Sequence, residues 1–471
     1  MRMTPSSYVA ALGLQAHGAF DATIQDDGAE AEKSSTIRDD MQTRPPATAA
    51  AIARGSHPFH GDPYARYQAL RLQGPIHWTP DLFGGAWLLT TFDGVQAALK
   101  DPRLSAQRTG GWVMRHALRG SPERKHLTAM QRLFARAMLF VDKPAHPRLR
   151  SVMQHAFRPA RIEALRGQVA GLVHNLIGDI ERRIPATASF DFIEHFATPL
   201  PSRVVSRFLG LRMVDDARFL SWSSGLAAFL GAVEPTADET RAAHDSLAAM
   251  SDEIDRRIRA DDLEEDGLIA SLVEAQAQGR IESREELLAQ CVMLLFAGHE
   301  TTRHLLGTAV YWLLQEPGRW RTLEDPARVR TSVRELLRWD SPVQFTGRRA
   351  NCDFDLFGVA LRRGDLVLPL LGSANRDPAR YGAANHLDLD RQLGMPLSFG
   401  SGPHVCIGAA LTLMEAECAL GELVRRWPGL QMAEHSPPWI EAPLYRGLRR
   451  LELHRGTSSV GVPPAHAHLL P

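Results

Sequence analysis

The ten residues from Phe399 to Gly408, Phe-Gly-Ser-Gly-Pro-His-Val-Cys-Ile-Gly, constrain this chain more than any other stretch. Apolar spacing resumes directly afterwards at Ile407, Ala410, Leu411, Met414 and Cys418, which predicts a helix and puts Cys406 at its N-terminus. Unpaired N–H groups and the helix dipole favour a thiolate there. Gly400, Gly402 and Gly408 lack a Cβ, so the backbone can take unusual dihedrals and approach something flat and wide. A lone cysteine is usually a small buried hydrophobe. One thiolate in a tight loop against a wide planar ligand points instead to haem iron.

The loop resembles the haem-binding loop of the cytochrome P450 family, the haem-thiolate monooxygenases, whose pattern is Phe-Gly-x-Gly-x-His-x-Cys-x-Gly. Phe399, Gly400, Gly402, His404, Cys406 and Gly408 fill its fixed positions. The resemblance implies haem b as cofactor, Cys406 as the axial metal ligand, and His404 on a haem propionate, with Phe399 and Gly408 also against the haem. An axial thiolate pushes electron density towards iron and favours O–O cleavage.

Further segments repeat the resemblance in the family's order. Asp142-Lys143-Pro144-Ala145-His146-Pro147-Arg148-Leu149-Arg150 is similar to its Asp-x-Pro-x-His-x-x-x-Arg, with His146 and Arg150 on one helix face. The resemblance sends both to the propionates, joined by Arg348 of Thr346-Gly347-Arg348. Glu335-Leu336-Leu337-Arg338 resembles the buried Glu-x-x-Arg pair, completed by Arg391 in a structural role. Ala374-Asn375-Arg376-Asp377-Pro378 is a further family-like segment with no chemistry assigned to it. The family pattern runs from Asp62 to about Leu453; Arg349 beside Arg348 and a long N-terminal extension depart from it.

A capping box, Ser283-Arg284-Glu285-Glu286, opens a long apolar pattern that runs through Leu314 towards Pro317. Such a helix spans on the order of 45 Å and, apolar nearly all round, is buried centrally. Its middle reads Ala297-Gly298-His299-Glu300-Thr301-Thr302. A zinc reading fails on spacing, because His299 and His304 are at i and i+5, about 140° apart, where a metalloprotease needs i and i+4. The segment is similar to the family's distal-helix signature. That implies catalytic roles for Thr301, hydrogen-bonded to dioxygen, and for Glu300, linked to the water that feeds protons; a helical Thr also back-bonds to its i−4 carbonyl.

Lys plus Arg and Asp plus Glu both count 54, so no global field draws nucleic acid or an anionic membrane. No run of 18 apolar residues and no basic-then-apolar leader is present, and Cys291, Cys352, Cys406 and Cys418 show no paired spacing. These features predict a soluble, cytoplasmic chain. Residues 1–55 read as a mobile extension, 56–455 as one catalytic domain and 456–471 as a tail. Asp62-Pro63-Tyr64 predicts a helix start, and Ile76–Trp78 and Ala86–Thr90 predict strands. From Ile162 to Glu274 amphipathic helices are expected, broken at Pro185, at Pro199-Leu200-Pro201 and at Pro235.

The expected fold is therefore mainly α with small β-sheets, the cytochrome P450 fold, with haem between a long distal helix and the cysteine-loop helix. The implied function is insertion of one atom of O2 into an apolar small molecule by hydroxylation or epoxidation, tailoring a polyketide, terpenoid or peptide. Val113, Met293, Ala297, Val343 and Phe345 would border the substrate. No Gly-x-Gly-x-x-Gly fingerprint and no iron–sulfur cysteine set occurs, so NAD(P)H electrons are expected through a ferredoxin and its reductase, docking near Arg148, Arg158 and Arg161. A peroxygenase or isomerase, or a non-catalytic haem sensor, would leave the Glu300-Thr301 pair unexplained.

Overall fold

Local chemistry starts the fold where the sequence predicts. The Asp62 carboxylate accepts the Tyr64 N–H at 3.0 Å, and Pro63, with no N–H to satisfy, takes the first turn of α1 (Pro63–Gln73). The computed structural model describes residues 62–108, 124–212, 216–233, 235–316 and 318–456. Val113 and the segments 1–61 and 457–471 lie outside the described residues.

The expected strands form as β1 (Ile76–Thr79) and β2 (Ala86–Leu89), paired antiparallel with Trp78 opposite Trp87. With β3 (Leu104–Ser105), β5 (Arg348–Ala350) and β8 (Leu366–Pro369) they make a five-stranded sheet of order β1-β2-β8-β5-β3, in which β2 and β8 run parallel. Smaller sheets join β4 (Phe190–Asp191) to β10 (Glu452–His454) and β9 (Gln431–Met432), and β6 (Phe354–Leu356) to β7 (Val359–Leu361).

Helices carry the rest of the molecule. After α2 (Phe92–Lys100) and α3 (Arg124–Phe134) come α4 (Ala145–Gln154), α5 (Pro159–Ala164) and α6 (Arg166–Arg183). Pro185 follows α6 and Pro235 precedes α9 as breaks, but Pro199-Leu200-Pro201 is the first turn of α7 (Pro199–Leu209), not an interruption. Backbone N–H groups of a first turn have no intrahelical acceptor, so proline costs nothing there. Next are α8 (Asp216–Gly231), α9 (Ala237–Arg259) and α10 (Leu268–Ala277). A full capping box starts α9, between Thr236 and Glu239.

The long helix α11 (Arg284–Leu314) runs through the main core, packed against α7, α9 and α14. Its capping box is only half made. Ser283 accepts the Glu286 N–H at 3.1 Å, while the Glu286 carboxylate accepts the Glu282 N–H and binds Arg148 in bidentate fashion, at 2.7 and 2.9 Å. Buried leucines such as Leu305 and Leu313 hold α11 in place; truncating one to Ala would cost about 2–5 kcal/mol. Then follow α12 (Pro326–Trp339), α13 (Leu371–Ala374) and α14 (Ala409–Arg426), the helix predicted behind the cysteine loop.

Candidate active site

Between α11 and the loop ahead of α14 lies a cavity of about 430 Å³, walled mostly by apolar side chains. Cys406, His404, Phe399 and Gly408 line it from the loop, and Met293, Ala297 and Thr301 from α11. Val343, Phe345 and Arg348 enter from the approach to β5, and His146 and Arg150 from α4. Residues nearly 260 positions apart in the chain thus meet in one space.

The loop owes its shape to its backbone. Cys406 N–H donates to the Phe399 carbonyl at 2.8 Å, closing the turn. Gly400 and Gly402 have φ of 70° and 73°, the left-handed region that side chains avoid, and a Cβ on Gly402 would lie 2.8 Å from the Leu99 carbonyl at the end of α2. Gly408 differs from expectation: its φ is −84° and a Cβ there would meet only ordinary contacts. What Cys406 exposes is cavity wall. Burial pushes its thiol above the ordinary value, against the Gly408 and Ala409 N–H groups and Arg150, which pull it down. The helix start by itself therefore does not make a thiolate; a bond to a metal is what deprotonates such a thiol.

The cationic end of the cavity tests whether haem fits. His146 is buried, its Nε2 has no hydrogen-bond partner among the described residues, and its ring lies 4.0 Å from that of His404. Burial lowers the pKa of both rings, that of His404 to about 3. Arg348 is 4% exposed, donates to the carbonyl of its neighbour Gly347, and has no carboxylate within ion-pair distance among the described residues. Burial pushes it down to about 10. Arg150 donates to the Val405 carbonyl at 2.9 Å, which ties α4 to the cysteine loop. A buried cation and an orphaned imidazole nitrogen call for anionic acceptors, and a flat apolar ligand with two carboxylates supplies them. The residues present fit haem.

On α11, Thr301 donates its hydroxyl to the Ala297 carbonyl at 2.9 Å, the back-bond open to any helical threonine, while still lining the cavity. Glu300 points elsewhere. Its carboxylate is 3% exposed and takes contacts from Ser223 (3.3 Å), Arg303 (3.1 Å), His299 and His304 (3.4 Å each). Although burial opposes it, these donors hold Glu300 below the ordinary carboxylate range. His299 bonds Ser223 and the Thr198 carbonyl, whereas His304 turns to Glu300 and leaves its Nδ1 without a partner. The two histidines thus share Glu300 but differ in their other partners.

Glu335 and Arg338 are fully buried, joined by two 2.6 Å hydrogen bonds, and Arg391 reaches Glu335 at 3.3 Å. None of the three lines the cavity. Arg338 further donates to the carbonyls of Asn375, Ala384 and His386. Here the segment left without a role acquires one. Asn375 bonds Ser341, Ser398 and the Leu397 N–H, and Arg376 is sandwiched between the rings of Tyr64 and Trp339 at 3.6 and 3.4 Å. Tyr64 in turn donates to Asp340 at 2.8 Å, fastening α1 to the end of α12. Of the basic residues expected to meet a partner, Arg148 is held by Glu282 and Glu286 and Arg161 donates to the Asp266 carbonyl; Arg158 is exposed.

Sequence reading missed Arg108 and Tyr445, which both line the cavity; neither falls in a motif, and only their place in the fold brings them there.

Known proteins agree with this geometry. The family model for cytochrome P450 matches residues 319–444. The chain is 32% identical over 406 residues to the biotin biosynthesis cytochrome P450 of Bacillus subtilis (strain 168), covering 85% of this chain and 98% of that one. It is 35% identical over 404 residues to the mycinamicin IV hydroxylase/epoxidase of Micromonospora griseorubida, covering 83% and 96%. The structure of the tirandamycin C-bound P450 monooxygenase TamI superposes with a TM-score of 0.74 at 32% identity, over 84% of this chain and 98% of that one. Among the described residues no helix is long and apolar enough to cross a membrane. A cysteine-loop cavity that fits haem, in a chain matched over more than four-fifths of its length by these proteins, leads to the assignment: this chain belongs to the cytochrome P450 family and is a haem monooxygenase that takes electrons from redox partners and uses O2 on a small molecule.

Proposed function

We propose that the chain hydroxylates or epoxidises an apolar secondary metabolite, and that residues 56–455 form the catalytic domain. The observation that carries this reading is one largely apolar cavity into which Cys406 and Thr301 both open. Relatives that act on mycinamicin IV or bind tirandamycin C support a polyketide-like substrate. Met293, Ala297, Val343 and Phe345 are the wall it would touch.

Cys406 would hold the haem iron, with His146, Arg150, Arg348 and His404 on its propionates and Phe399 and Gly408 beside them. When bound, the haem supplies a thiolate-ligated iron at which O2 is reduced and cleaved. The protein's own share is to exclude water and deliver protons. Since Thr301 spends its proton on the Ala297 carbonyl, its oxygen is free to accept from a donor in the cavity and hold it in place. Glu300, one residue earlier and kept ionised, connects through Arg303, itself about one-fifth exposed, towards the surface. In this reading Glu300 would order the water that feeds protons towards Thr301.

A ferredoxin with its reductase is the proposed electron source. Arg158 is exposed next to Phe157, whose ring packs near Gly408, so an acidic partner bound there would sit close to the cysteine loop. All four cysteines are free, in keeping with a reducing cytoplasm.

The test is NAD(P)H-driven turnover with a surrogate ferredoxin pair, after a spectral binding screen of polyketides, terpenoids and peptides. Product should carry one oxygen from O2. Cys406→Ser should lose the red-shifted Soret band of the reduced carbon monoxide complex, while Cys291, Cys352 and Cys418 variants keep it. A Cys406→Ser protein that retained the band would sink the ligand assignment.

A further inference from the structure

The cationic end of the cavity holds one guanidinium more than the haem-holding set accounts for. Arg108 follows β3 and lines the cavity beside Gly347, against which its aliphatic stem packs. Its guanidinium carbon stands 4.6 Å over the Phe140 ring. The hydrogen bond it makes is a long one, 3.4 Å to the Ala106 carbonyl only two residues back. No carboxylate comes within ion-pair distance of it among the described residues. Asp142, a carboxylate that acts on it from further off than an ion pair, is taken by the Ser105 hydroxyl and the Ala106 N–H and lies 3.8 Å from His404.

What surface Arg108 keeps is turned to the cavity, yet it is enclosed deeply enough for burial, with Arg348 beside it, to push it down to about 9. A guanidinium so placed is poorly solvated and poorly paired. Arginine's planar fork matches a carboxylate with two parallel hydrogen bonds, and a charge removed from water is stabilised above all by such a partner. Phe140 holds the stem and one face, so the edge is what remains for an incoming acceptor.

We propose that Arg108 is a carboxylate-binding residue of the cavity, receiving either a haem propionate or an acid group on the substrate. This inference rests on the haem monooxygenase reading and deepens it, because the second source would define the substrate as an apolar acid.

Two measurements on the holoenzyme separate the sources. One is the rate at which haem transfers to apomyoglobin. The other is Soret-shift titration with decanoic acid and 4-phenylbenzoic acid, each against its primary amide. If a propionate is the partner, Arg108→Gln should release haem about 10-fold faster or more, and acid and amide should bind wild type alike. If the substrate is the partner, wild type should favour acid over amide by about 10-fold or more, Arg108→Gln should abolish that preference, and haem release should be unchanged. Arg108→Lys, which keeps the charge and loses the fork, gives the same two readings should the Gln variant fold poorly. Unchanged haem release together with equal binding of acid and amide by wild type would overturn the proposal. Failure of the underlying reading shows separately, as a wild-type protein without the thiolate-type carbon monoxide band.

Discussion

Two helices beside the cavity, α11 and α12, carry the same local spelling, Glu-x-x-Arg with a buried glutamate, and build opposite things from it. Glu335 and Arg338 on α12 are both fully buried, share two short hydrogen bonds, and spend the rest of the guanidinium on backbone carbonyls. Glu300 and Arg303 on α11 meet through one 3.1 Å contact, the arginine partly exposed, with Ser223 and two histidines competing for the carboxylate. The first pair is saturated and can only hold; the second has spare donors and an orphaned His304 Nδ1, so it can exchange partners. A closed ion pair would give rigidity behind the cysteine loop, and an open one, on the proposed reading, would allow traffic next to Thr301.

Breaking the closed pair should have the largest effect. Glu335→Ala or Arg338→Ala leaves an uncompensated buried charge, and urea unfolding should register a loss of about 3–5 kcal/mol with little haem-loaded protein recovered. Losses under about 1 kcal/mol in both would show that the two pairs are not different in kind. On the open side, Thr301→Ala should leave folding and ligand binding intact while product per NAD(P)H falls, hydrogen peroxide taking its place. Proton-transfer assistance is typically worth about 10²–10⁴-fold, and unchanged coupling would remove Thr301 from the scheme.

Glu300→Gln sharpens the contrast. It keeps the shape but loses a charged acceptor, so stability should fall by about 1–3 kcal/mol, less than at Glu335, while NAD(P)H-driven turnover slows. Because Glu300 has a folded pKa below its unfolded one, its contribution is complete above about pH 4.3 and fades as the pH drops further. A Gln variant should therefore lose its disadvantage in acid; a stability gap that widened below pH 4 would contradict that. The smallest effect belongs to His304, whose pKa burial pushes down to about 3. Between about pH 6.5 and 3 the unfolded chain binds a proton there that the folded chain does not, so stability declines with falling pH by at most about 1.4 kcal/mol per unit. His304→Gln should flatten the melting-temperature profile over pH 6.5–5, and an unaltered slope would show that His304 does not titrate on unfolding.

These contrasts mark what the sequence could say. Cys406, His146, Arg150 and Arg348 were legible because binding an iron porphyrin restricts residue type and spacing at once, and the structure brings them into one cavity. The burial of Glu335 and Arg338 could be read only through resemblance, since spacing alone describes Glu300–Arg303 equally well. Pro199 and Pro201 misled because proline forbids a helix interior and welcomes a first turn, which local sequence does not distinguish. The Glu286 carboxylate was misplaced by one residue because Arg148, 138 positions away, competes for it. Arg108 was invisible for a related reason: its meaning lies in how few partners it finds among the described residues.

The clasp of Tyr64 on Asp340, with Arg376 wedged between Tyr64 and Trp339, also bears on how the chain is made. Tyr64 emerges from the ribosome 276 residues ahead of its partner. At a synthesis rate of about 5–20 residues per second, α1 waits roughly 14–55 s for Asp340, with only Leu82, Ala86 and Leu88 of its final apolar cluster made soon after it. Through that interval Tyr64, Tyr67 and Leu70, all buried in the finished protein, lack the later half of their packing partners. The first of the described helices thus waits long for its polar clasp, which gives a nascent-chain chaperone time to act there.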